Sequence, residues 1–129
     1  MVGREVAAAG AVLVCGGRGG VMAAAAAGAH AGGGIVVGIL PSADPRTGNA
    51  WLTVRVPTGL GHARNALVAA AGDALIAFDG AFGTMSEVAL ARVLGRPVVA
   101  LGAWSGVAGV VVARTPREAV RTALALARR

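Results

Sequence analysis

Short apolar runs rich in Val, Ile and Leu recur along the chain, and most lead through a glycine-bearing turn into an alanine-rich stretch of helical period. This alternation marks an α/β fold, in which connecting helices cover parallel strands. The runs predict strands over residues 11–15, 35–39, 52–56, 74–78, 98–101 and 110–113. They do not alternate with polar residues, so all are expected to be buried parallel strands. Helices are expected over 20–31, 61–71, 84–94 and 116–127. Thr115 suits the N-cap of the last, with Pro116 at its first position and Glu118 in its first turn, while Gly95 and Pro97 stop the third. Residues 41–50, with Pro, Asp, Ser, Gly and Asn, read as a surface loop, and residues 2–9 read as the tail of a helix running straight into a strand.

Composition narrows the picture. A chain of 129 residues suits one domain, able to bury roughly two-thirds of its unfolded surface. Cys15 is the only cysteine, which excludes a disulfide scaffold and suits packing at a strand end; no Cys or His cluster points to a metal. The positive charge behind the net +6 comes entirely from arginine, and seven of the twelve arginines lie from Arg92 onward with a single aromatic residue, Trp104, among them. A solvated surface is the better reading of that pattern than a nucleic-acid interface, which would pair cations with stacking rings.

The opening MVGREVAAAGAVLVCGG imitates a lipoprotein signal, but Glu5 interrupts it and Val14 is too large for the position before the cysteine. The longest apolar run, 98–113, falls short of the ~20 residues of a membrane helix and is broken by Gly102, Gly106 and Gly109. A cytoplasmic protein with no membrane and no nucleic-acid partner is expected.

Three glycine turns carry the candidate chemistry: CGGRGGVM at 15–22, PTGLGHARN at 57–65 and DGAFGTMSE at 79–87. Each follows a strand and opens a helix, so in a parallel sheet each lies at a carboxyl edge, where unpaired N–H groups and helix dipoles attract anions. Phosphate is the expected guest. The candidate contacts are Gly16, Gly17, Gly19 and Gly20 in the first turn, Thr58 and Gly59 in the second, and Gly80, Gly83 and Thr84 in the third. None of the turns matches the dinucleotide fingerprint or the P-loop, which disfavours NAD and Mg-ATP hydrolysis.

Two residues have both a structural and a functional reading. Thr84-Met85-Ser86-Glu87 fits a capping box, with Thr84 as N-cap and the Glu87 carboxylate reaching back to it. Arg64, one turn into a glycine-opened helix, is either a surface charge or a cation able to hold a phosphate bidentately at the same edge as Glu87.

The motifs GGRGGVM, VGILP, TGLGHARN and GAFGTMSE, in this order and spacing, resemble the LOG-like, or SLOG, Rossmann proteins over nearly the whole chain. The resemblance implies an α/β, Rossmann-like, doubly wound parallel sheet with helices on both faces, one nucleotide-binding domain over 1–129 and a homodimer or homotetramer. In cytokinin-activating LOG enzymes the last motif is P-G-G-x-G-T-x-x-E, and they release the base and ribose 5-phosphate from nucleoside 5′-monophosphates. Carried over, Gly80, Gly83 and Thr84 would bind phosphate, and Arg64 and Glu87 would be the catalytic pair.

Here Asp79 stands for the proline, Ala81 for a glycine and Asn65 for the lysine after the arginine. The ARN form is closer to a branch similar to the molybdenum-cofactor carrier proteins, which bind a phosphorylated pterin without transforming it. The expected small-molecule partner is therefore a nucleotide that the protein hydrolyses or a phosphorylated pterin that it carries, with no cofactor or metal of its own; a degenerate protein without ligand is the third reading. The resemblance also sets a strand and a glycine turn before the opening helix, so the chain is expected to lack the family's first strand, with Met1 an internal residue of a longer protein.

Overall fold

A computed structural model describes residues 2–78, 82–102, 104 and 106–127, and chain contacts divide it into two compact units, Met1–Val68 and Ala69–Arg129. The first holds α1 (Val2–Ala8), β1 (Leu13–Cys15), α2 (Val21–Ala31), β2 (Val36–Leu40) and β3 (Val54–Pro57), with short 3₁₀ turns at Pro45–Thr47 and Gly61–Arg64. Its strands are all parallel, in the order β1-β2-β3, with Leu13 beside Val36 and Val37 beside Val54. The helix α3 (Asn65–Ala71) carries the chain into the second unit. There β4 (Leu75–Ala77), β5 (Val98–Leu101) and β6 (Val110–Ala113) form a second parallel sheet in that order, with α4 (Phe82–Val93) and α5 (Pro116–Ala127).

Small residues set the packing of the first unit. A methyl group built on Gly3 of α1 would stand 1.9 Å from the Ala25 carbonyl oxygen of α2, so the two helix backbones approach as only glycine allows. The same helix lays Ala26 and Ala29 on Val36, with Ala7 of α1, Leu13, Cys15 and Leu52 at the margin. Cys15 ends β1 and joins this core, as expected of it. No α-helix links β2 to β3; residues 41–53 return as a long loop that holds the 3₁₀ turn, and Leu52 closes over Gly38, where a Cβ would lie 2.5 Å from a Leu52 methyl.

In the second unit strand alternation separates two cores. Leu75, Ala77 and Val98 pack with Val88 and Ala91 of α4, while Ile76, Val99 and Ala113 pack with Ala119 and Ala123 of α5. Neighbouring residues of one strand thus serve helices on opposite faces, the mark of a doubly wound sheet.

The structure moves several expected boundaries. β2 and β3 begin one and two residues later than the apolar runs suggest, and the helix expected over 61–71 opens with a 3₁₀ turn before α3. Burial of every strand does not hold. β2 and β5, central in their sheets, are largely buried, but Val54 and Val56 of β3 and Val111 and Val112 of β6 are exposed.

The expected capping box on α4 is also displaced. The helix starts at Phe82, so Thr84 is its third residue rather than its N-cap, and the Ser86 hydroxyl donates to the Gly83 carbonyl at 2.7 Å, as a serine inside a helix does. Thr115 does cap α5: its hydroxyl accepts from the Glu118 N–H at 3.1 Å, and the Glu118 carboxylate accepts from the Arg114 N–H at 3.0 Å. Gly95, at φ 73°, ends α4 as expected, with the Arg96 N–H returning to the Ala91 carbonyl at 2.8 Å. No helix among the described residues is long and apolar enough to cross a membrane.

Candidate ligand site at the carboxyl edge of the first sheet

Because β1, β2 and β3 run parallel, the turns that follow them at 16–20, 41–44 and 58–61 all lie at one edge. The first of these turns is held open by glycine. Gly16 and Gly17 are buried, and Gly17 (φ 75°) and Gly20 (φ 64°) take conformations that side chains disfavour. Gly19 and Gly20 are exposed, and a Cβ on either would meet nothing within 4 Å, so the space before this turn and the N-terminus of α2 is open.

Arg64 reaches this turn from the other end of the unit's sequence. A Cβ on Gly16 would stand 2.7 Å from an Arg64 guanidinium nitrogen and 2.9 Å from Cζ, with the Met22 sulfur at 2.6 Å. The guanidinium therefore lies on the bare Gly16 backbone, a place that any side chain at position 16 would take from it. Asn65, buried to 5 % exposure, accepts a short hydrogen bond from Arg64 through Oδ1 and so helps to orient the cation. This is what Asn65 does where the hydrolase pattern has a lysine.

The second turn is braced from within. The Thr58 hydroxyl donates to the Leu40 carbonyl at 2.6 Å and accepts from the Leu60 N–H at 3.2 Å, while the Gly61 N–H donates to the Pro41 carbonyl at 3.0 Å. Thr58 thus ties the ends of β2 and β3 together, and Gly59 (φ 68°) makes the bend. In the loop after β2, Asp44 caps the 3₁₀ turn through the Arg46 N–H at 2.9 Å and pairs with the Arg46 guanidinium at 3.0 Å. That side-chain pairing holds the Asp44 carboxyl below its ordinary range.

The structure thus brings together Gly16, Gly17, Gly19, Gly20 and Arg64 around one edge, with Thr58 and Gly59 bracing the next turn. Gly83, Thr84 and Glu87 belong to the second unit, on the first turns of α4, whose N-terminus follows β4; Asp79 and Gly80 lie outside the described residues. Sequence reasoning missed Asn49, which it read only as part of a polar loop. The Asn49 N–H donates to the Gly17 carbonyl at 2.8 Å and its side-chain amide to the Arg18 carbonyl at 3.0 Å. Among the described residues no group of three or more His, Cys, Asp or Glu side chains is placed to hold a metal.

This α/β framework with a glycine-rich carboxyl edge is Rossmann-like. The SLOG cluster4 family description matches residues 1–125, and the chain belongs to that family. An uncharacterised protein of Archaeoglobus fulgidus is 42% identical over 119 residues, 92% of this chain and 78% of that one. Among solved structures, the molybdenum cofactor binding protein of Rippkaea orientalis is similar with a TM-score of 0.89 and 33% identity, covering 96% of this chain and 82% of its own. The molybdenum cofactor carrier protein of Chlamydomonas reinhardtii is similar with a TM-score of 0.86 and 32% identity, covering 99% and 84%.

Proposed function

We propose that this protein binds a phosphorylated small molecule, its phosphate seated on the 16–20 turn beside Arg64, and that a phosphorylated pterin of the molybdenum-cofactor type is its cargo. The observation that carries the proposal is the contact of the Arg64 guanidinium with the bare backbone of Gly16. A planar cation there, next to the N-terminus of an 11-residue helix, offers a phosphate bidentate hydrogen bonds and a favourable dipole. Asn65 limits the freedom of Arg64 and so the entropy lost on binding.

The two similar structures are of proteins that bind or carry the molybdenum cofactor, which favours the carrier reading over hydrolysis. Asn65 in place of the hydrolase lysine argues in the same direction. Under the hydrolase reading Glu87 would handle the proton or orient water. Under the carrier reading no bond is broken.

Mass spectrometry and pterin fluorescence on natively purified protein, beside incubation with AMP, test the proposal. A retained phosphorylated pterin and no adenine release is the expected result. Adenine release that Glu87→Gln abolishes while AMP still binds would replace the carrier by the phosphoribohydrolase. Absence of any phosphate-dependent ligand would remove both.

A further inference from the structure

The 16–20 turn is useful to an anion only if its N–H groups point outward, which a restraint on its carbonyls can enforce. The restraint comes from Asn49, which is 31 residues away from Arg18 in sequence and lies in the loop between β2 and β3. Its backbone N–H takes the Gly17 carbonyl and its side-chain Nδ2 takes the Arg18 carbonyl, at 2.8 and 3.0 Å. Its Oδ1 accepts from the Trp51 N–H at 3.1 Å, and its own carbonyl accepts from Arg55 Nη2 at 2.7 Å. A donor contact on one side of the amide and an acceptor contact on the other leave one choice for its orientation. Arg55 also donates to the Pro45 carbonyl at 3.0 Å, which braces the loop that presents Asn49.

Peptide planarity turns this clasp into a statement about the opposite side of the turn. In a trans peptide the carbonyl of one residue and the N–H of the next point in opposite directions. With the carbonyls of Gly17 and Arg18 drawn to Asn49, the N–H groups of Arg18 and Gly19 point away from it, on the exposed part of the turn. We infer that Asn49 is a positioning residue for ligand binding: it fixes two consecutive backbone donors, at Arg18 and Gly19, as a preorganised anion nest. The inference rests on the proposed phosphate seat and goes beyond it by naming the donors and the residue that aims them.

Inorganic phosphate is the probe, titrated into ¹⁵N-labelled protein while the amide resonances of Arg18 and Gly19 are followed. The parent is expected to show saturable shifts at both. Asn49→Ala keeps the backbone N–H on the Gly17 carbonyl but frees the Arg18 carbonyl, so it is expected to raise the dissociation constant about ten-fold, the effect of losing one well-placed hydrogen bond, and to reduce the shift at Gly19 far more than that at Arg18. Asn49→Ser is the second variant: its hydroxyl can still accept from the Trp51 N–H in a local turn but is too short to span to Arg18, so the same loss is expected. Thr53→Val is the control for a structural role. It removes the Thr53 hydroxyl that accepts from the Val36 N–H at 3.0 Å, away from the turn, and should lower the melting temperature while leaving phosphate binding unchanged.

Parent-like affinity and shifts in both Asn49 variants would overturn the positioning role while leaving the site intact. Parent protein in which phosphate moves neither amide would overturn the seat itself, and the inference with it. Thr53→Val losing affinity as the Asn49 variants do would also overturn it, because general loosening would then suffice.

Discussion

The second unit contains the same four-residue pattern twice, Thr84-Met85-Ser86-Glu87 on α4 and Thr115-Pro116-Arg117-Glu118 on α5, and the two behave differently. On α5 the threonine is the N-cap and the glutamate completes the cap. On α4 the helix has already begun at Phe82, so the threonine lies inside it. Proline accounts for the difference. Pro116 disfavours helical backbone at Thr115 and clashes with any turn before it, so the helix can start nowhere earlier. Met85 imposes no such limit, and the helix extends back through Gly83. A capping-box pattern therefore specifies a start only when something forbids an earlier one.

Substitutions can break or sharpen this contrast. Met85→Pro has the largest expected effect: it inserts the α5 device into a turn that is already helical and should cost on the order of 3 kcal/mol in urea unfolding. A neutral result would mean that residues 82–84 are not helical in solution, and the comparison would collapse. Thr115→Ala comes next, at about 1 kcal/mol, for the lost N-cap. Glu118→Ala should cost less, roughly 0.3–1 kcal/mol, through its hydrogen bond to Arg114 and its place in the first turn. Thr84→Ala should fall within about 0.5 kcal/mol of the parent, since alanine suits a helix interior. A loss as large as that at Thr115 would restore the cap on α4.

The legible part of the fold was whatever local chemistry dictates. Gly95 and Pro97 marked the end of α4 because the stop is written in those residues, and Thr115-Pro116 marked the start of α5 for the same reason. Strand positions came within two residues, since apolar runs locate β-strands but not the last paired residue. The exposure of β3 and β6 was not legible: Val54 and Val111 have the composition of buried strands, and what covers a strand depends on elements distant in sequence.

The site shows the same division. The glycine turns and Arg64 were visible because glycine at a strand end and a cation near a helix start have local meaning. Asn49 was not, because its role depends on contacts with Gly17 and Arg18 across some thirty residues, through a loop that replaces the usual connecting helix. Likewise Asn65 was noted only as a departure from the hydrolase motif, whereas in the structure it is the side chain that holds Arg64.

Arg64 is the most direct test of the account. Calorimetric or NMR titration of inorganic phosphate into the parent, Arg64→Lys and Arg64→Ala measures what the guanidinium over Gly16 contributes. Charge-assisted hydrogen bonds of this kind predict a loss of about ten- to a hundred-fold in Arg64→Ala, with a partial loss in Arg64→Lys, which keeps the charge but not the planar fork. Unchanged phosphate affinity in a folded Arg64→Ala protein would contradict the central claim and place the anion elsewhere.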